Sequence, residues 1–231
     1  MRLSTLTLVF LLALAAATSV TAQGVVVDQG QFQIEIDGQP AGTEDFILRR
    51  AGLGRDDAVF ASAVVVVEPG DMRWEVRPLL RAIPADGTAE SYQVAVTGDD
   101  AMDIRLTLQG RRYLATIRSA RGDEDREFQA RESTRVVEVG VAHHYYFLSD
   151  VSDGEQASVL EPRTSRQLTF SASSRSDVAL SIGRRTVSAR RVDFVSSGGD
   201  DRTVWFDRQG RVLRVEVPSQ AWVAVRTDLV G

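Results

Sequence analysis

The sequence predicts an all-β, mostly antiparallel protein: a large curved sheet or half-barrel of about twelve strands, with one short helical segment near residues 141–150. Three observations predict it. Apolar residues recur at every second position through most of the chain, the period of a strand with one buried face. Gly, Asp and Pro punctuate these runs at hairpin spacing. Only one long stretch, "GVAHHYYFLSDVSDGEQASVLEP", breaks the alternation.

The chain opens on a short positive start, an apolar run "LTLVFLLALAAA" and small residues Val20 and Ala22 ahead of Gln23. That is the three-part layout of a secretory signal peptide, with cleavage expected after Ala22. The run is too short to span a bilayer, which takes roughly 20 residues. Residues 23–231 are then expected to form a single antiparallel β domain, with no transmembrane segment in the mature chain.

Along that domain, "QFQIEID" alternates Phe32, Ile34 and Ile36 against polar residues, "DGQPAG" reads as a turn, and "TEDFILRR" returns as the partner strand. "AVFASAVVVVE" is a β-branched strand stopped by "PGD". In "WEVRPLL", Pro78 is expected to end the strand or to mark an edge. "SYQVAVT" follows, then a hairpin, "DIRLTLQGRRYLATIRS", turning at Gly110-Arg111. "ARGDEDREF" reads as a charged turn into another strand, and "STRVVEVG" as a continuation of the sheet. After the interruption come "RQLTFSAS", "VALSIGRRTVSARRVDFVS", "TVWFDRQGRVLRVEVP" and "QAWVAVRTD". In "FDRQGR", Asp207 can bond its own backbone and Gly210 can take a positive φ.

Composition excludes much. There are no cysteines, so disulfides, thiolate metal sites and thiol nucleophiles are absent, and an exported chain without disulfides suits a bacterial periplasm. All 27 basic residues are arginine, and asparagine is missing too, a pattern of codon usage in a GC-rich genome. The net charge of −5 argues against nucleic acid as a partner, because duplex binding rests on neutralising phosphates.

Both histidines, His143 and His144, lie side by side before Tyr145, Tyr146 and Phe147. Neighbouring residues diverge by about 100° on a helix and point to opposite faces of a strand, so the pair does not chelate one metal without outside help. The segment is expected to be amphipathic, with His144, Tyr145 and Leu148 beside Val141, and its aromatics filling space under a sheet. Ser149 and Asp150 stand close by, but no Gly-x-Ser-x-Gly elbow exists. The acidic pairs Asp56-Asp57, Asp99-Asp100 and Asp200-Asp201 read as solvated turns, and "SDVSDGEQ" lacks the ligand spacing of a calcium loop, since Asp150 and Asp153 are three apart. The arginine pairs at 49–50, 111–112, 184–185 and 190–191 read as solvated faces. No catalytic residue, metal ligand or cofactor site is expected.

"GTEDFILRR", "AHHYYFL" and "RTVWFDRQGRVLRVEVPSQAWVAVR" resemble a group of bacterial exported domains of unknown function. Those carry an early G-x-E-x-F strand and a late W-F-D-x-x-G-R-(L)-x-R-(V)-E hairpin. The resemblance implies a curved antiparallel sheet, somewhat similar to the periplasmic carriers of outer-membrane lipoproteins, and brings no catalytic residues. The expected function is that of an exported periplasmic or envelope protein without enzymatic activity: a binding or carrier module for a lipid, another apolar ligand or an envelope partner. A structural or interaction protein of the envelope is the alternative, and a hydrolase the third reading.

Overall fold

The computed structural model describes residues 24–70 and 72–229, apart from the side chains of 175–177. The expected signal peptide, residues 1–22, lies outside the described residues.

One sheet of fifteen strands carries the whole architecture. Its first arm is a meander of β1 (Val25–Ile36), β2 (Gln39–Ala51), β3 (Ala58–Val67), β4 (Trp74–Ala82), β5 (Ala89–Thr97), β6 (Met102–Gln109), β7 (Arg112–Ser119) and β8 (Gly122–Gln129). The second arm holds β9 (Arg135–Val136), β10 (Gln156–Glu161), β11 (Arg166–Ile182), β12 (Arg185–Ser196), β13 (Arg202–Phe206), β14 (Val212–Val217) and β15 (Trp222–Arg226). Each strand pairs with its sequence neighbour, and β15 returns to pair antiparallel with β1. The first and last described strands therefore lie in the middle of the sheet, and the middle of the chain forms its edges. Every pairing is antiparallel except β9 with β10.

The all-β class is as the alternation predicts; the strand count is higher than twelve. The "charged turn" after Ala120 is itself strand β8. β10 lies within the stretch read as an interruption, and β9 shrinks to two residues where 133–140 reads as strand. The turn at "DGQPAG" is tighter than it reads: Asp37 and Gly38, both at positive φ, make the whole connection, and Gln39 already belongs to β2. Pro78 neither ends a strand nor marks an edge, since β4 runs through it between β3 and β5. Its missing N–H is tolerated because the β3–β4 ladder skips from Ser62↔Leu79 to Val65↔Val76, while Pro78 still sits opposite Val94 of β5.

The sheet curls so that one face becomes an interior. Phe32 and Ile34 of β1, Phe46 and Leu48 of β2, Tyr92 of β5 and Phe170 of β11 all point into it and are buried. A second, smaller core lies on the outer face, where Leu180, Ile182, Ala189 and Leu213 cluster with Trp205 and Val225. A bulge makes it. β11 gains one residue between Arg175 and Val178 relative to β12, so its even positions change faces. Ala172 and Phe170 face the interior, whereas Leu180 and Ile182 face the outer cluster.

The segment between β9 and β10 fills the interior. It carries a 3₁₀ turn over His143–Leu148, not an α-helix: His143, His144, Tyr145, Phe147 and Leu148 are all buried, with Tyr146 half-buried. The expected short helical segment is thus present as a 3₁₀ turn, and its exposed side is reduced to Tyr146, Ser149 and Asp150. The rest of it is enclosed by the curled sheet, and those residues are accordingly aromatic or aliphatic.

Candidate functional site

One concentration of buried polar groups surrounds the histidine pair. Glu44 of β2 is fully buried, in phase with Phe46 and Leu48. Its carboxylate accepts from the backbone N–H of Ala142 (2.6 Å) and His143 (2.8 Å), and Oε1 lies 2.7 Å from His143 Nδ1. Two free N–H groups at the start of the 3₁₀ turn are thereby satisfied by a side chain from a strand almost a hundred residues away. Gly42, two residues earlier, has its own reason. A Cβ there would collide with the Val66 carbonyl of β3, so the strand that delivers Glu44 packs closely only with glycine.

His144 is held differently. Its Nδ1 lies 3.1 Å from the Glu138 backbone nitrogen and accepts that proton. A neutral His144 must then carry its hydrogen on Nε2. His143, facing a carboxylate, carries its hydrogen on Nδ1. Neither Nε2 has a hydrogen-bond partner among the described residues. The rings stand edge to face with centroids 4.5 Å apart, between Phe46 stacked on His143 (5.6 Å) and Tyr92 set against His144 (5.6 Å). Phe32 continues the stack beyond Phe46, and Arg226 lies over the Phe46 ring at 5.2 Å.

This arrangement does not suit a metal. A ligating imidazole donates its second ring N–H to a carboxylate or carbonyl. His143 does so, but His144 uses Nδ1 as an acceptor, which leaves its Nε2 occupied by a proton. No group of three or more metal-ligating side chains gathers among the described residues. Nor is the Glu44–His143 dyad half of a hydrolytic triad: both side chains are fully buried, and Ser149 bonds neither imidazole. Ser149 instead offers its carbonyl to Arg190.

Further buried charges brace the segment. Glu138 meets Tyr92 Oη (3.0 Å), the Val139 N–H (2.8 Å) and Arg163 Nε (3.3 Å). Arg202 donates to Tyr145 Oη (2.7 Å) and to Glu161. Arg135 holds both oxygens of Asp150, and Arg226 forks onto Asp28 at 2.8 Å to each oxygen. The other expected surface groups fall apart from one another. Asp57 pairs with Arg50, Asp153 accepts the Ser174 N–H, Asp200 caps Ser219 and Gln220, and Asp201 accepts the Ser196 N–H. Arg112 pairs with Glu127, and Arg191 with Asp193, while its neighbour Arg190 points inward onto Phe206.

Burial sets the protonation of this cluster. It holds His144 well below the ordinary histidine value, helped by its neighbour His143. It pushes the Glu138 carboxyl up to about 7, outweighing Arg163, the Val139 N–H and Tyr92. Unfolding therefore frees His144 to take a proton below about pH 6.5, so its contribution to stability is present above that pH and lost as the pH falls. Glu138 has the opposite sign: its contribution is present below about pH 4.5 and lost as the pH rises toward about 7. Between these limits the two slopes oppose each other. In urea melts, His144→Gln is expected to leave a protein that weakens steadily from pH 4.5 to 7. Glu138→Gln is expected to leave one that strengthens up to about pH 6.5, each by as much as ~1.4 kcal/mol per pH unit. Parallel profiles in the two variants would contradict this assignment.

Sequence reading singles out the histidines but misses Glu44, Glu138, Glu161, Arg202 and Arg226. The signal was present. Glu44, Arg202 and Arg226 each fall in phase with an apolar inward face, where a solvated charge would not.

The chain matches no protein-family model and no curated protein. Solved structures do match. A β-barrel-like protein of a domain of unknown function, DUF1849, from Brucella abortus superposes with a TM-score of 0.56 at 9% identity, over 89% of this chain and 97% of that one. A DUF1089 family protein from Pseudomonas aeruginosa gives a TM-score of 0.41 at 14% identity, over 77% of this chain and 90% of that one. The first of these shares the fold: a β-barrel-like domain whose function is unknown.

Proposed function

We propose that the protein is an exported, non-enzymatic module of the bacterial envelope that binds a partner on its outer surface and strand edges. One observation carries the choice of surface over interior. The space inside the curved sheet is taken up by residues 141–148 and Val151, all buried except the half-buried Tyr146, in a segment pinned by Glu44, Arg202 and Arg135. A lipid or other apolar ligand would enter only by displacing that segment and stripping these charges of their partners, at a cost of several kcal/mol per buried ion. Carriage of an apolar ligand in the interior is thus the second reading. The layout of residues 1–22 supports export, and the burial of both imidazoles, with His143 at 1% and His144 at 0% exposure, supports a role without catalysis.

Two measurements test this. Mass analysis of the protein recovered from the periplasm or medium is expected to give an N-terminus at Gln23; a cytosolic protein retaining Met1 would remove the compartment. Native mass spectrometry of the purified protein is expected to show the bare polypeptide. A co-purifying lipid would replace the surface reading with that of a carrier.

A further inference from the structure

We infer that β8 is a docking edge for an extended, basic peptide segment, which adds to the sheet as a further strand. The inference rests on the reading of the protein as a surface-binding module and names the place and chemistry of its partner. β8 ends the sheet: it pairs with β7 on one side, and among the described residues no strand pairs with the other. Its backbone N–H and C=O groups along that edge form a ready template for another chain. Only the far end is touched, where the Gln167 side chain donates to the Gln129 carbonyl.

The edge is also wet on both faces. Seven of its eight residues, Gly122 to Glu127 and Gln129, are exposed, and only Phe128 packs against the interior core. Asp123, Asp125 and Glu127 point to one face, opposite Arg118, Thr116 and Leu114 of β7; Glu124 and Arg126 share the other. Four carboxylates against one arginine give this short strand a net charge of 1 − 4 = −3, against −5 for the whole chain. Each carboxylate has a local partner, Arg112 for Glu127, Arg118 at 3.7 Å for Asp123, the Thr116 hydroxyl at 2.9 Å for Asp125 and Arg126 for Glu124, but these contacts are exposed and so are readily exchanged.

Charge decides which strand fits. A second copy of β8, paired antiparallel about Asp125 so that the two copies keep the same outer face, would set Asp125 opposite Asp125 and Asp123 opposite Glu127, like charges directly across a ladder. Self-association at this edge is thereby disfavoured. A strand with Arg or Lys at alternate positions meets the row of Asp123, Asp125 and Glu127 with opposite charge at the same spacing. Polar residues between them suit Glu124 and Arg126 on the other face.

The test uses the purified chain and an acetylated eight-residue peptide alternating Arg and Thr, followed by isothermal titration and backbone-amide NMR at low salt. Binding is expected with amide shifts confined to β8 and its flanks. The triple variant Asp123→Arg, Asp125→Arg, Glu127→Arg is expected to lose roughly tenfold in affinity for this peptide and to gain it for a Glu–Thr peptide. The variant changes only exposed positions, and an unchanged urea midpoint would show that it folds. A peptide N-methylated at alternate residues keeps the charge but cannot pair along an edge. Equal binding of that peptide would overturn strand addition, and so would no binding of the parent. Because the titration is made on purified protein, its failure leaves export untouched. Conversely, peptide binding by a protein that proves cytosolic would sustain the edge and remove the envelope reading.

Discussion

Replacing Arg202 by Met is expected to lower stability by about 3–5 kcal/mol, read as a shift in the urea midpoint. The residue is 4% exposed. It donates to Glu161, to Tyr145 Oη and to the Asp200 carbonyl, and it lies over the Phe170 ring at 4.7 Å. Its removal leaves the Glu161 carboxylate, itself 1% exposed, with only the Thr164 hydroxyl at 3.2 Å. That orphaned charge, more than the lost attraction, sets the size of the effect, because desolvating two ions offsets most of what their pairing yields. The double variant Arg202→Met, Glu161→Met is accordingly expected to recover most of the loss. If the double variant is no more stable than Arg202→Met alone, the penalty does not lie in Glu161 and the account fails.

The same pair shows what sequence alone conveys here. The inward phase of β13 is plain from Val204 and Phe206, and it places Arg202 on the buried face without further information. What the sequence does not convey is the partner, since Glu161 belongs to β10, a strand hidden in a stretch where "QASVLE" alternates too weakly to be noticed. Glu44 and His143 are a similar case. Each is visible in its own motif, and only the curl of the sheet brings them to 2.7 Å. The bulge in β11 is invisible for another reason. Alternation before it and after it is intact, and a single added residue that exchanges the two faces leaves no mark in composition. Periodicity marks a helical turn here but not its type, and the turn is 3₁₀ with only Tyr146 partly exposed.

Leu148→Ala and Phe147→Ala are each expected to cost about 2–5 kcal/mol, and His143→Gln distinctly less. Leu148 is fully buried and Phe147 nearly so, and both belong to the single interior core that the two arms of the sheet share. Truncation opens a cavity there, and the surroundings close it poorly, because the sheet is hydrogen-bonded from β8 to β9 and cannot collapse locally. His143→Gln keeps a polar side chain of similar reach facing Glu44, and the Ala142 and His143 N–H bonds to that carboxylate do not depend on the ring. What it loses is the stacking against Phe46 and the edge contact with His144, worth about 0.5–1.5 kcal/mol for a pair of rings. The order of the losses therefore separates packing from chemistry. A segment serving as a reactive or ligand site would tolerate Leu148→Ala and be sensitive at the imidazoles. A segment serving as the filling of a closed sheet behaves the other way. Urea melts of the three variants decide between them: unmoved midpoints for both Leu148→Ala and Phe147→Ala would mean that the interior is loose enough to admit a ligand after all.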